Sequence, residues 1–345
     1  MTKITIKDIS IALQVSISTV SKALSDSHEI SESTKSRIRD YAKANNFSIN
    51  KVAQSLKLGR SNTIAVIACA INNDLVSQIL EGIQEVAIES KYDIIIMQSM
   101  EDESIERSCI EVLKARGIDG LLISPVSESS NIDMLLNLKL SKVPVVLFDR
   151  INSQLNTYKY GVKNFDGAYQ ATVHLIKQGC TNILHITGSQ LGVANERLSG
   201  FLAALQEYRI PFNPENYIPC NLKNTNTIDA DIRKALKKAF KSKNKPDAIF
   251  GATDLITIRS LGILADMNIN VPNDIAVIGF ANTKAAFAMN PSLSTISQPG
   301  KQIGYLAMTQ LVKMIKTKRE IDYFETIELD TSMHIRKSSL KETRI

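Results

Sequence analysis

Residues 6–24 read Ile6-Lys7-Asp8-Ile9-Ser10-Ile11-Ala12-Leu13-Gln14-Val15-Ser16-Ile17-Ser18-Thr19-Val20-Ser21-Lys22-Ala23-Leu24. Ile6, Ile9 and Leu13 recur at helical spacing, so residues 6–13 predict a short helix. Gln14-Val15-Ser16 is a tight turn. Residues 18–24 predict a second short helix that turns Val20, Ala23 and Leu24 inward. Two short helices joined in this way make a helix-turn-helix, whose second helix fits the major groove of DNA. Its outer face carries Ser18, Thr19, Ser21 and Lys22. Hydroxyls and a cation are the groups that contact phosphate oxygens and base edges.

The same pattern suits a small helical subdomain with a solvated face, and charge argues against that alternative. Of the 41 Lys/Arg and 35 Asp/Glu in 345 residues, ten Lys/Arg and five Asp/Glu lie in residues 1–60. The remainder is almost balanced, at 31 against 30. The basic excess is therefore the local footprint of a nucleic-acid module.

Residues 31–46 predict a third helix with Ser31 as its cap. Asn50-Lys51-Val52-Ala53-Gln54-Ser55-Leu56 is a further short helical piece within residues 50–58. So few residues do not hold a helix alone, so this piece is expected to fold only on a partner. Residues 57–62 read as a linker.

From Thr63 the pattern becomes short apolar runs alternating with helices. Runs at 63–68, 93–97, 120–123 and 143–148 read as parallel strands buried on both faces. A second set follows at 183–186, 248–250 and 275–278. Two successive series imply an α/β core of two doubly wound parallel-sheet subdomains behind an all-α helix-turn-helix DNA-binding domain. A last long helix near 299–317 precedes strand-like pieces at 324–329 and 332–336.

Ligands bind such sheets at the carboxyl ends of their strands. Asp149, Arg150, Arg197 and Asp254 fall there and are the polar candidates. Asp149 also suits a turn, Arg197 a surface ion pair and Asp254 a helix cap. Glu101, Asp102 and Glu103 read as a solvated acidic turn. Gly-x-Ser-x-Gly is absent, and neither a dinucleotide fingerprint nor a P-loop follows the first strand. No catalytic residue and no cofactor is expected. Cys69, Cys109, Cys180 and Cys220 are isolated, and His28, His174, His185 and His334 are scattered, so no metal site is expected. The polar N-terminus and the lack of long apolar runs predict a cytoplasmic protein with no membrane partner.

The chain resembles the lactose/galactose repressor family of bacterial transcription regulators. The resemblance is carried by Thr5-Ile6-Lys7-Asp8-Ile9, by residues 15–24, and by Val52-Ala53-Gln54-Ser55-Leu56. It continues in Val145-Val146-Leu147-Phe148-Asp149-Arg150, Arg197-Leu198-Ser199-Gly200-Phe201, residues 271–280, residues 291–296 and Gln298-Pro299. It implies a periplasmic-binding-protein-like core with crossovers near 161, 290 and 323. The implied domains are 1–60, then 61–161 with 290–322, then 162–289 with 323–345. It also implies a homodimer on a palindromic operator in double-stranded DNA.

DNA contacts are then expected from Thr5, Ser16, Ile17, Ser18, Thr19, Ser21 and Lys22, with Asn50, Lys51, Ala53 and Leu56 from a hinge helix. Leu56 matches an apolar wedge for the minor groove. The implied effector site comprises Leu75, Val76, Asp149, Arg197, Thr253, Asp254 and Gln298, with Asp149 and Arg197 holding ligand hydroxyls or an anionic group across a cleft. The chain departs from the family pattern at several positions. Lys22 stands where many relatives carry Arg, and Leu75-Val76 where a Phe pair is frequent. Ala281 stands where an Asp often binds a sugar hydroxyl, and Thr253 where Asn is common. The function expected is a DNA-binding regulator, a repressor controlled by a small effector, a sugar or sugar derivative. The alternatives are a solute-binding protein of the same core fold, which requires an export signal, and an α/β enzyme, which requires a phosphate loop or an acid–base pair.

Overall fold

The computed structural model describes residues 4–47, 60–151, 154–188, 192–221, 225–317 and 323–341. The expected hinge residues Asn50, Lys51, Ala53 and Leu56 lie outside them. Met1–Ser61 form one compact unit and Asn62–Ile345 a second.

The first unit holds α1 (Ile6–Leu13), α2 (Ile17–Leu24) and α3 (Glu32–Ala44). Each begins on a hydroxyl cap. Thr5 and Asp8 form a reciprocal box at α1, Ser16 accepts from the Thr19 amide, and Ser31 accepts from the Thr34 amide. Such caps satisfy amides that a helix start leaves unpaired. Gln14 takes a left-handed φ of 52° and breaks the chain between α1 and α2. Ile9, Val20, Ala23, Ile38 and Ala42 make the buried centre, with Ile6, Leu13 and Leu24 packed on it.

In the second unit, one sheet contains β1 (Thr63–Ala68), β2 (Asp93–Gln98), β3 (Gly120–Ile123), β4 (Val145–Phe148), β5 (Lys159–Val162) and β11 (Thr326–Leu329). Its order is β11-β5-β4-β3-β1-β2, and every pairing is parallel. The other contains β6 (Ile183–Gly188), β7 (Tyr217–Cys220), β8 (Ala248–Gly251), β9 (Ala276–Phe280), β10 (Ser294–Ser297) and β12 (Ser332–His334), ordered β12-β10-β9-β8-β6-β7. Only β12 runs antiparallel there, against β10. Each lobe thus repeats one doubly wound order, in which the strand direction of travel reverses beside the first strand and opens a crevice at the carboxyl ends.

Helices α4 (Asp74–Ser90), α5 (Glu103–Ala115), α6 (Ile132–Leu140) and α11 (Gly300–Lys316) cover the first sheet. Helices α7 (Asn164–Lys177), α8 (Gly192–Glu207), α9 (Thr225–Phe240) and α10 (Asp254–Asp266) cover the second. The late helix α11 is fixed to the first lobe by close backbone contact with α4. A Cβ on Gly304 would stand 1.9 Å from the Ile79 carbonyl oxygen, and one on Gly82 2.0 Å from that of Lys301. Only glycine allows the two helices to approach so far.

Three strands escape the sequence reading. β5 carries Lys159 and Gly161, β7 carries Pro219, and β10 is mostly hydroxyl-bearing. β7 is an edge strand, where a proline is tolerated. The crossovers shift accordingly. The chain leaves the first sheet at Lys163, returns at Gln298-Pro299 and crosses again at Asp330-Thr331. The boundaries near 290 and 323 are therefore too early. β10 pairs with β9 and stays in the second lobe, whereas the apolar run at 326–329 pairs with β5 in the first. Lys163 bridges two of the crossovers, with its Nζ 2.8 Å from Asp330 Oδ1. Among the described residues, no helix is long and apolar enough to cross a membrane, and no group of three or more His, Cys, Asp or Glu is placed to hold a metal ion. The four cysteines are buried free thiols.

Candidate functional site

The outer face of α2 presents Ile17 and Lys22, both about half exposed, with Ser18 beside them. Thr19 and Ser21 are half-buried at its flanks. At the start of the helix, Ser16 Oγ accepts from the Thr19 amide at 3.0 Å and lies 2.7 and 2.8 Å from Ser18 Oγ and Thr19 Oγ1. This hydroxyl cluster sits where a helix start attracts phosphate oxygens. Lys22 pairs with Glu29. Both are well exposed, so water or DNA competes for that pair at small cost. Thr5 is committed to Asp8, with its amide donating at 2.8 Å.

In the second unit, the strand ends bring polar residues of both lobes together around Arg197. Arg197 is 4% exposed, on α8. Its Nε donates to Asn164 Oδ1 at 2.8 Å, Nη1 to the Ala252 carbonyl at 2.5 Å, and Nη2 to Gln298 Oε1 at 3.4 Å. Its guanidinium lies 3.7 Å above the Phe280 ring. Burial draws it down to about 10, and the facing charge of Asp149 opposes that shift. The geometry thus makes Arg197 the organiser of Asn164 and Gln298.

Asp149 follows β4 directly, with a φ of 62°. Aspartate tolerates that left-handed turn better than most residues, and strain of this kind collects at working sites. The carboxylate accepts only a long bond, 3.4 Å, from Ser124 Oγ. Burial pushes it above the ordinary carboxylate range, while Arg150 and Arg197 draw it down. Arg150 turns back to Glu101, which takes two of its N–H groups at 2.6 and 2.7 Å. Glu101 therefore leaves the solvated turn that its sequence suggested, because Arg150 gives it a bidentate partner. Asp102 caps α5, and Glu103 accepts from Ser127 Oγ at 2.8 Å. Between the lobes lies a narrow cleft, open to solvent. Val126, Glu128, Asp149, Arg150, Asn164 and Glu196 are among its walls.

Asn282 links the lobes directly. Its Nδ2 donates to Gln78 Oε1 of α4 at 2.8 Å and to the Gln298 carbonyl at 2.7 Å, and the Gln298 amide donates to Asn282 Oδ1 at 2.9 Å. The Asn282 amide donates to Asp254 Oδ2 at 3.2 Å, while Asp254 Oδ1 is buried without a donor. Burial raises Asp254 from 3.8 to about 6. A raised carboxyl means that the folded protein holds its proton longer than the unfolded chain does. The contribution of Asp254 to stability is therefore greatest below about pH 4 and falls as pH rises through 4 to 6. Asp254→Asn keeps the acceptor and removes the charge. It is expected to stabilise the ligand-free protein at pH 7 by about 1–3 kcal/mol, with the gain fading towards pH 4. Urea melts at both pH values check this, and a gain independent of pH contradicts it.

Thr253 accepts from the Ile256 amide and caps α10. Leu75 and Val76 lie in the first lobe's apolar core, and of the seven expected effector residues only Asp149 is among the cleft's walls. Asp149, Arg197, Asp254 and Gln298 are gathered at the strand ends. Asn164, Asn282, Gln78 and Glu101 escaped the sequence reading. The strand-end rule reaches Asn282, two residues past Phe280, and Asn164 once β5 is recognised. For Gln78, whose partner lies in the other lobe, no sequence signal exists.

Residues 5–50 match the model of bacterial regulatory proteins of the lacI family, and residues 172–339 that of the periplasmic binding protein-like domain. The HTH-type transcriptional regulator RegA of Clostridium saccharobutylicum is 31% identical over 92% of this chain and 94% of its own. The ribose operon repressor of Haemophilus influenzae is 28% identical over 97% and 98%. The lac repressor dimer bound to operator and an anti-inducer superposes with a TM-score of 0.83, at 21% identity, covering 98% of this chain and 100% of that one. With a helix-turn-helix in its first residues, a two-lobed core in the rest of the sequence and relatives matched over nearly their full lengths, the chain belongs to the lacI family of bacterial regulatory proteins and is a DNA-binding transcriptional regulator.

Proposed function

We propose that this regulator is a repressor whose operator affinity is set by a small effector, a sugar or sugar derivative, held between the two lobes of its core. The observation that carries the proposal is the chain of contacts from Gln78 through Asn282 and Gln298 to Arg197, which joins both lobes at the carboxyl ends of their strands. A ligand that donates to Asp149 or Asp254 changes what this chain prefers, and so biases the relative position of the lobes. The ribose operon repressor among the relatives supports a polyhydroxylated effector.

The DNA-facing end follows from α2. Ile17, Ser18 and Lys22 meet base edges, and Thr19 and Ser21 meet phosphates. The chain acts as a homodimer that sets two α2 helices on the halves of a palindromic operator. Asn50, Lys51, Ala53 and Leu56 supply the hinge contacts, with Leu56 as the minor-groove wedge.

The test is a thermal-shift screen of sugars and sugar derivatives, followed by operator titration with each stabilising compound. A true effector changes operator affinity about fivefold or more, in line with ordinary coupling energies. Stabilising compounds that leave operator affinity unchanged contradict the proposal.

A further inference from the structure

The near balance of charge in residues 61–345, 31 basic against 30 acidic, hides a segregation. Arg233 and six lysines from Lys234 to Lys245 fall within 13 residues that contain no Asp or Glu. Without them, residues 61–345 carry 24 basic against 30 acidic. The basic stretch is the end of α9 and the loop that leads to β8.

Ile228, Ile232 and Leu236 bury the inner face of α9. Lys234, Lys237, Lys238 and Lys241 recur three and four residues apart and are exposed on its outer face. The pull of a helix C-terminus on cations accounts for Lys237 and Lys238 in the last turn. It does not reach Lys243 and Lys245. The loop that carries these two is fixed, because Asn182 Nδ2 donates to the Asn244 and Lys245 carbonyls, both at 2.9 Å. The carboxylates nearby are mostly engaged elsewhere. Asp247 accepts from the Thr181 and Asn182 amides at 2.7 and 3.0 Å, and Asp229 holds Arg259 at 2.5 Å. Arg233 pairs with Asp266 at 2.7 Å, and Lys238 faces Glu215 at 3.5 Å with both ends exposed. Among the described residues, Lys234, Lys237, Lys241, Lys243 and Lys245 have no carboxylate within ion-pair distance. Five uncompensated cations on a held surface repel one another, so this end of the lobe favours a polyanion.

The place and the chemistry narrow the partner. α9 runs from the end of β7 to the start of β8, so the lysines stand at the amino ends of the strands, away from the cleft. The chain enters the core in the other lobe, at the start of β1. No large apolar side chain is exposed in residues 227–247. Protein partners are anchored by aromatic and arginine side chains and use few lysines. Membrane-surface helices insert an apolar face, and single strands stack on aromatic rings. Lysines alone match a phosphate backbone, held without regard to sequence. About 10 Å of axis separates Lys234 from Lys241, and duplex DNA carries about six charges over that length.

We infer that the lysine end of the second lobe holds the phosphate backbone of a second stretch of duplex DNA while the helix-turn-helix holds the operator. A regulator on its operator has neighbouring DNA at high local concentration, so contacts weak in themselves suffice.

A sandwich experiment tests this with the full chain. The protein is loaded on an immobilised duplex carrying the sequence that binding-site selection returns for it, and unbound protein is washed away. A labelled duplex of unrelated sequence is then added. The loaded chain is expected to retain the label and to lose it tenfold or more between about 50 and 200 mM salt. The variant Lys234→Gln, Lys237→Gln, Lys241→Gln, Lys243→Gln, Lys245→Gln is expected to hold the immobilised duplex as before, which shows that it is folded, and to bind the label about tenfold or more weakly. The inference is overturned by a full chain that retains no label, or by a variant that retains it equally well, since the second duplex then sits on the helix-turn-helix. It is also overturned if poly-L-glutamate or phosphatidylserine vesicles are retained in place of the duplex, which makes the patch a protein or a membrane surface.

Discussion

Replacing Arg197 with alanine is expected to destabilise the core by about 3–5 kcal/mol and to abolish the effector response. The size follows from what the guanidinium holds. Its removal leaves Asn164 Oδ1, the Ala252 carbonyl and Gln298 Oε1 without their donor. It also strips Asp149 of one of the two charges that offset its burial. Breaking one side of a buried charged network costs this much because the partners stay buried and unpaired. Arg197→Lys keeps the charge and loses the fork, so it recovers only part of the loss. Urea unfolding with an unchanged m-value measures both. A cost below about 1 kcal/mol for the alanine variant contradicts the part given to Arg197.

Lys22→Ala is expected to weaken specific operator binding by about 1–3 kcal/mol per half-site and to relax sequence preference at one position in each. Lys22 stands on the exposed face of α2, and its partner Glu29 is equally exposed, so the ammonium group is free to exchange Glu29 for a base edge. Non-specific affinity falls less, because phosphate contacts from the remaining basic residues persist. Equal losses on operator and on unrelated DNA contradict a base-reading role.

The fold was legible wherever one period ruled the sequence. Ile6, Ile9, Val20 and Ala23 mark α1 and α2 because these side chains enter or pack on the small unit's core. The all-apolar strands β3 and β4 are buried on both faces and read as such. β5, β7 and β10 did not, because Gly161, Pro219 and Ser294 answer to close packing, to an edge and to hydrogen bonding. Missing β10 moved a crossover by several residues. At the site, Asp149 and Arg197 were legible as polar residues past apolar strands. Glu101 was not, since its meaning depends on Arg150, 49 residues away. Leu75 and Val76 were expected at the effector site from the resemblance alone, yet their aliphatic side chains at the start of α4 turn into the core.

The central claim is that the exposed face of α2 reads a DNA sequence. Selection of binding sites from a random DNA pool tests it most directly, with the full chain and its Lys22→Ala variant run in parallel. The account predicts that the full chain enriches an inverted repeat and that the variant loses preference at one symmetric position in each half. A full chain that enriches no sequence, or a variant whose enriched sequence matches that of the unaltered chain, contradicts it.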